Sequence, residues 1–381
     1  MRKTFLPLSR PDISDIEIQK TVEVIKSGWW TTGPVVTEFE EKFSEYLQDK
    51  EPLAAVGLNS CTAALHLALL ALGIGKGDEV ILPTWTFVST GHVVEWTGAK
   101  PVLCDIDERT LNIDIERASE LITPRTKAIM PVHIAGFPCD MDAVLSLAER
   151  HNLKVIEDAA HAIGTEYNGI KIGNFADVTC FSFYATKNLA MGEGGAAVAK
   201  NSDIIEKIRK LGYFGINKQA FKRYSQTGSW FYDIEESGYK NNLDSLHAAL
   251  GLAQLQRLDQ MNFRRRQIAS LYRKGLSNKL LLPWDDGNHY HTYHLFPIRV
   301  DDEDIDRNEL IEALKRRNIG TSVHFIPLHL HTHYMQNNEQ DNFPVANRVF
   351  KRILSIPMFS SMSDEDVAYV VENLNELLQR G

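Results

Sequence analysis

The run D-V-T-C-F-S-F-Y-A-T-K-N-L-A-M-G-E-G-G-A-A-V-A, Asp177 to Ala199, decides how this chain is read. Its opening, D-V-T-C-F-S-F, has the length and the β-branched and aromatic content of a buried strand. A turn follows that carries one lysine, Lys187, among small and apolar neighbours. Glycines at 192, 194 and 195 leave room for close backbone approach, and G-A-A-V-A reads as a second strand.

The pattern extends outward from this run. A-A-V-G-L, E-V-I-L-P, P-V-L-C-D-I, K-A-I-M-P-V-H and K-V-I-E-D precede it as short apolar runs. Helical spacing lies between them at Cys61–Leu72, Ser89–Trp96 and Met141–His151. Such alternation predicts an α/β fold with a mostly parallel sheet flanked by helices. Ligands of these sheets collect beyond the carboxyl ends of the strands, where Asn59, Pro83, Asp158 and Ser182 fall. After Asn201 the pattern turns helical, and Leu243 to about Leu276 reads as one long helix. A second alternation follows: L-L-P-W, H-L-F-P-I-R-V, a helix at Asn308–Arg317, a strand at T-S-V-H-F, and closing helices near Val345–Leu354 and Asp364–Leu378. We therefore expect a large domain over 11–266 and a smaller C-terminal α+β domain over 267–381, with residues 1–10 packing beside it. The polar stretch Gln336–Asn342 reads as a mobile loop.

The chain has 381 residues, 44% hydrophobic and 24% charged, as expected of a soluble globular protein of two or three domains. A net charge of −9 argues against nucleic acid as a partner. No window offers about 18 uninterrupted apolar residues, so no membrane span is expected. M-R-K-T-F-L-P-L-S-R-P does not read as a signal peptide. Four scattered cysteines lack C-x-x-C spacing, and read as reduced core thiols of a cytoplasmic protein.

Lys187, Ser182 and Asp158 together make a chemical set. A desolvated lysine has a lowered pKa and becomes a nucleophile and base. A buried carboxylate needs a cationic partner. With the serine hydroxyl, these are the parts that hold pyridoxal phosphate: an amine for its aldehyde, a hydroxyl for its phosphate, a carboxylate for its ring nitrogen. Asn59-Ser60-Cys61-Thr62-Ala63 opens a helix, where free N–H groups attract a phosphate, although Ser60 or Thr62 equally serves as an N-cap. Trp85-Thr86-Phe87 offers an aromatic face for a flat cofactor, or core anchors. His161, three residues after Asp158, points to the ring oxygen or is structural. The histidines at 289–294 and 324–333 lack the interleaved carboxylates of a metal site, so no metal is expected, and His324 and His329 read as hydrogen-bonding a sugar or diphosphate. Glycines at 73, 75 and 77 do not open a helix after a strand, which removes the dinucleotide fingerprint and an NAD-linked reading.

The order of N-S-C-T-A-A-L-H-L-A-L, G-D-E-V-I-L-P-T-W-T-F-V-S-T, I-E-D-A-A-H-A-I-G-T, S-F-Y-A-T-K, G-E-G-G, A-A-L-G-L-A-Q-L and V-H-F-I-P-L-H closely resembles the DegT/StrS nucleotide-sugar aminotransferases, over nearly the whole chain. The resemblance implies the aspartate aminotransferase fold (fold type I) and pyridoxal 5'-phosphate. It implies that Lys187 carries the cofactor and later moves protons, and that Asp158 pairs with its ring nitrogen. Thr62, Ala63 and Ser182 would hold the phosphate, Phe87 would stack on the ring, and His161 would sit by its phenolic oxygen. Gly33 and His324 would face the nucleotide sugar. It implies a homodimer with shared active sites, in which the segment after Gly238-Tyr239 crosses over and Lys240 and Asn242 reach the phosphate. The expected substrates are a nucleotide-diphosphate keto-sugar and L-glutamate. Two departures touch the substrate. Gly238-Tyr239-Lys240-Asn241-Asn242 replaces the frequent G-Y-N-Y-R and is similar to the branch that makes UDP-4-amino-4-deoxy-L-arabinose, and Tyr184 stands where histidine is frequent. The alternatives are a C3 aminotransferase acting on a dTDP-keto-sugar and a non-catalytic cofactor- or sugar-nucleotide-binding regulator.

Overall fold

A computed structural model describes residues 2–216, 231–302, 305–336 and 342–379. Residues 337–341 of the expected polar loop lie outside the described residues. Strands β1 (Ala54–Leu58), β2 (Glu79–Pro83), β3 (Lys100–Cys104), β4 (Thr126–Ile129), β5 (Lys154–Asp158), β8 (Val178–Ser182) and β9 (Gly195–Ala199) form one seven-stranded sheet in the order 1-9-8-5-4-2-3. A two-stranded hairpin, β6 (Glu166–Tyr167) and β7 (Ile170–Lys171), sits apart from it. Pairings among β2, β3, β4, β5 and β8 are parallel, whereas β9 runs antiparallel to both β8 and β1.

The sheet is buried on both faces because successive side chains alternate between two cores. Val80, Leu82, Ile156 and Cys180 face one core with Leu65 and Leu69 of helix Cys61–Ala71 and Val93 of helix Val88–Trp96. Their neighbours Ile81, Val155 and Phe181 face the other. There they meet Phe39 and Phe43 of helix Pro34–Leu47, Leu147 of helix Met141–His151, and Leu252 of the long helix Ser245–Gly275. That long helix starts on Asp244, whose side chain accepts from the N–H groups of Leu246 and His247, as an N-cap does. Its later residues Ile268, Ala269 and Tyr272 enter a third core.

The third core lies against a three-stranded antiparallel sheet of β10 (Leu280–Leu281), β11 (Phe296–Val300) and β12 (Ile353–Ile356). Leu6 is buried in it and exchanges backbone bonds with Asn318 and Gly320, both 2.8 Å. Here the strand assignments made from sequence need correction. T-S-V-H-F contributes only a bridge between Ser322 and Ser355, and the third strand is Ile353–Ile356. The apolar spacing of Val345, Val349 and Phe350 runs on into Ile353 and Leu354, so a helical reading overshoots. The helix stops at Arg352, and Ile353 is extended at φ −93°, ψ 141°. Pro357 then follows, and the residue before a proline is biased away from helix.

Candidate active site

β5 and β8 are neighbours, so Asp158 and Ser182 emerge at the same edge of the sheet. The turn from Phe183 to Gly194 keeps the β8–β9 ladder going: Phe183 N–H donates to Gly194 O (2.9 Å), Met191 N–H to Phe183 O (2.8 Å) and Ala185 N–H to Gly192 O (3.0 Å). Lys187 N–H closes a tight turn on Tyr184 O at 2.8 Å. Gly192 has φ +92°, in the left-handed region that favours glycine. At Gly195 a Cβ would come within 2.3 Å of Ser60 C and 2.4 Å of Cys61 N. That close approach sets the Ser60–Thr62 corner beside the turn that carries the lysine.

A cavity of about 440 Å³ opens there, large enough for a small-molecule ligand. Of the residues singled out from sequence, Thr62, Phe87, Asp158, His161, Ser182, Lys187 and His324 line it. Lys187 is half-buried, and loss of hydration lowers its amine to about 8, against an opposing pull from Cys61 and Asp158. Asp158 is 4% exposed. Its Oδ2 accepts from Thr90 Oγ1 at 2.8 Å and its Oδ1 from Ala160 N–H at 3.1 Å. Burial raises this carboxyl, and the two hydrogen bonds and Lys187 work against that rise.

His161 Nδ1 accepts the Ala135 N–H at 3.3 Å. Its ring stacks on Phe325 and lies 4.4 Å, centroid to centroid, from His294. Burial drives His161 well below the ordinary imidazole range, with Lys187 adding to the effect. His324 binds Ser355 Oγ through Nδ1 at 3.1 Å and is lowered to about 4 by the same two causes.

Two open readings resolve. Ser60 caps helix Cys61–Ala71, accepting Ala63 N–H at 3.1 Å, while the Thr62 side chain faces the cavity. Trp85 is fully buried with Nε1 donating to His324 O (3.1 Å), and Phe87 is 55% exposed on the cavity wall.

Five residues depart from the cavity. Ala63 is buried with its N–H committed to the Ser60 cap. His329 is also buried: Nδ1 meets Thr84 Oγ1 at 2.7 Å, Nε2 meets Asn347 Oδ1 at 3.0 Å, and the ring stacks on Phe343. With both nitrogens satisfied inside the fold, His329 has no donor or acceptor left for a ligand. Gly33, Lys240 and Asn242 are absent from the cavity wall of this chain. They gather instead around Thr32: Asn242 donates to Thr32 Oγ1 at 2.5 Å, Lys240 Nζ meets Asn242 Oδ1, and Gly33 follows Thr32 in the chain.

Thr90, which bonds Asp158, and His294, which lines the cavity, are residues that the sequence did not disclose. Thr90 lies inside a helix, and only its approach to Asp158 reveals it. His294 sat in a histidine-rich stretch whose one visible signal was its place at the head of H-L-F-P-I-R-V. The histidines of that stretch do not converge on one point. Among the described residues, the set with metal-ligand spacing is His92, Glu95 and His333. There Glu95 already accepts from the exposed His333 Nε2 at 2.8 Å.

The donor set suits pyridoxal phosphate. A half-buried amine and a buried carboxylate face one cavity, with Thr62 and Ser182 also in its wall. A lone buried carboxylate with only neutral hydrogen-bond donors is costly, and a protonated ring nitrogen supplies the missing cation. When bound, this cofactor offers an aldehyde that takes up an amine and a ring that withdraws electrons from the adjacent carbon.

Comparison with known proteins agrees with this chemistry. Residues 11–375 match the DegT/DnrJ/EryC1/StrS aminotransferase family. The spore coat polysaccharide biosynthesis protein SpsC of Bacillus subtilis (strain 168) is 48% identical over 99% of this chain and 98% of its own length. Spr1654 of Streptococcus pneumoniae, assigned as a sugar aminotransferase, superposes in its PMP form with TM-score 0.93 at 34% identity, covering 98% of this chain and 99% of that one. Its PLP form superposes with TM-score 0.92 at 33% identity, covering 99% of each. DesV of S. venezuelae covers 100% of both chains with TM-score 0.89 at 33% identity. Among the described residues, no helix is long and apolar enough to cross a membrane. The amine and acid meeting in one cavity, on this fold and with these relatives, place the chain in the DegT/DnrJ/EryC1/StrS aminotransferase family, as an enzyme that aminates sugars with pyridoxal phosphate as its cofactor.

Proposed function

We propose that the protein moves an amino group from L-glutamate to the ketone of a sugar carried on a nucleoside diphosphate. The ketone is at C4, the carrier is UDP, and the enzyme works as a cytoplasmic homodimer. The observation that carries this reading is Lys187 and Asp158 facing one cavity. An amine with a pKa of about 8 has roughly one neutral molecule in ten at pH 7, enough to hold the aldehyde, be displaced by glutamate and then shuttle a proton. Asp158 holds a proton on the ring nitrogen. Thr62, Ser182 and the start of helix Cys61–Ala71 orient the phosphate. Phe87 covers the ring, His161 donates to its oxygen, and His324 faces the sugar.

Lys240, Asn242 and Gly33 act on the neighbouring subunit's site. A shared site is consistent with their absence from their own chain's cavity wall. It is also consistent with the apolar side chains exposed at 13–30: Ile18, Val22 and Ile25 on one helix face, with Ile13, Trp29 and Trp30 beside it. We take 11–266 as the cofactor-holding domain and 267–381 as the smaller domain that brings His324. The name of SpsC, a polysaccharide biosynthesis protein, favours a glycan precursor as product.

The test is Lys187→Ala with a panel of UDP- and dTDP-linked 3- and 4-keto sugars. The variant keeps bound pyridoxamine phosphate and loses turnover. Full transamination by the variant, or a wild-type cofactor absorbance that glutamate does not bleach, overturns the reading. Turnover restricted to dTDP-3-keto sugars would reassign the substrate.

A further inference from the structure

His294 is 5% exposed and lines the cavity. Its Nδ1 lies 3.1 Å from Asn188 Oδ1. The orientation of that amide is fixed from both ends by groups that can only accept. Asn188 Nδ2 donates to the Thr292 carbonyl (3.2 Å) and to Asn262 Oδ1 (2.8 Å), and Asn262 Nδ2 donates to the Ile163 carbonyl (3.2 Å). Asn188 therefore presents its oxygen to His294, and an amide oxygen accepts, so the proton of His294 sits on Nδ1. His161 has the reverse arrangement. Its Nδ1 faces the Ala135 N–H at 3.3 Å, which can only donate, so its proton sits on Nε2.

The surroundings keep both rings neutral. Burial opposes protonation of each, and Lys187 and, for His294, Arg265 add positive charge nearby. Arg265 Nη1 is held on the carbonyls of Tyr293, His294 and Met358. The cavity wall carries two carboxylates, Asp158, which is engaged by Thr90 and Ala160, and Glu193. Two imidazoles with ring centres 4.4 Å apart thus meet the cavity with opposite polarity, His161 through an N–H and His294 through a lone pair.

We propose that Nε2 of His294 is a specificity-determining acceptor that takes a hydrogen bond from the sugar hydroxyl beside the ketone. This rests on the sugar-aminotransferase reading above. The cavity must receive two unlike substrates in turn. Glutamate brings carboxylates, which only accept and gain nothing from a lone pair. A keto-sugar brings hydroxyls, which donate. A neutral acceptor that resists protonation therefore favours the sugar and is indifferent to the amino donor's carboxylates.

The experiment uses the holoenzyme and follows each half-reaction separately by cofactor absorbance. The probes are L-glutamate, UDP-4-keto-6-deoxy-D-glucose and its 3-deoxy analogue. In wild type the 3-deoxy analogue reacts about 10- to 100-fold less efficiently, the cost of a buried acceptor left unpaired. In His294→Phe the two sugars converge, and kcat/KM for the hydroxylated sugar falls by a similar factor, mostly in KM, relative to the glutamate half. His294→Gln, whose side-chain carbonyl can reach the position of Nε2, restores part of the difference. Histidine ¹⁵N spectra of the wild-type holoenzyme give an independent readout: His294 as the Nδ1–H form and His161 as the Nε2–H form. An Nε2–H form for His294, or a phenylalanine variant that slows both half-reactions equally and still discriminates the two sugars, overturns the inference. A wild type that glutamate does not convert refutes the enzymatic function itself, and this inference with it.

Discussion

Replacing Lys187 with methionine removes the charge but keeps the length of the side chain, and it isolates the cost of burying the amine. In the folded protein desolvation lowers the amine to about 8, compared with about 10.4 when exposed. Each tenfold change in proton affinity is about 1.4 kcal/mol. Below pH 8 the amine is charged in both states, and folding bears the whole penalty, roughly 3 kcal/mol. Between pH 8 and about 10.4 the folded state releases its proton while the unfolded state keeps it, so wild-type stability rises with pH across that window. Methionine has nothing to titrate. Cofactor-stripped Lys187→Met should therefore be more stable than stripped wild type at pH 7 by up to roughly 3 kcal/mol. The gap should close as pH rises from 8 toward 10. Urea unfolding of both proteins at matched concentration, at half-unit steps from pH 6.5 to 10.5, measures this. A variant no more stable than wild type at pH 7, or a gap that does not change with pH, would mean that the amine is hydrated and that the site is not built to activate it.

The other predictions concern the groups around that amine. Asp158→Asn should retain the cofactor but lose about 100- to 1000-fold in kcat, as when one preorganised electrostatic group is removed; single-turnover rates with glutamate check it. Thr90→Val deletes the 2.8 Å bond to Asp158 Oδ2 and should cost about 1–3 kcal/mol. It should also raise the carboxyl further and shift the acid limb of the pH–rate profile upward. Gly195→Ala places a methyl 2.3 Å from the backbone of Ser60. The strand or the helix start must then move, so thermal melts and cofactor retention should both fall, with overpacking costing about 1–3 kcal/mol or more.

The apolar runs of the large sheet were legible because strands buried on both faces are continuously apolar, and all seven appear within a few residues of their expected limits. Asp158 and Ser182 were legible for the same reason, since each ends such a run. Lys187 stood out because a charged residue in an apolar turn needs an explanation. The edge strand Ile353–Ile356 was not legible, because four residues following an amphipathic helix carry too little period of their own.

Taken alone, the sequence determined the alternation of strands and helices, hence the sheet and the edge at which chemistry gathers, because backbone hydrogen bonding and burial act on local pattern. Which histidines reach that edge was decided by tertiary structure. His329 and His294 look alike in the chain, yet one spends both nitrogens on Thr84 and Asn347, while the other gives one to Asn188 and keeps the other for the cavity. Thr84 and Asn188, each more than 100 residues away along the chain, make that difference, and no local spacing encodes them.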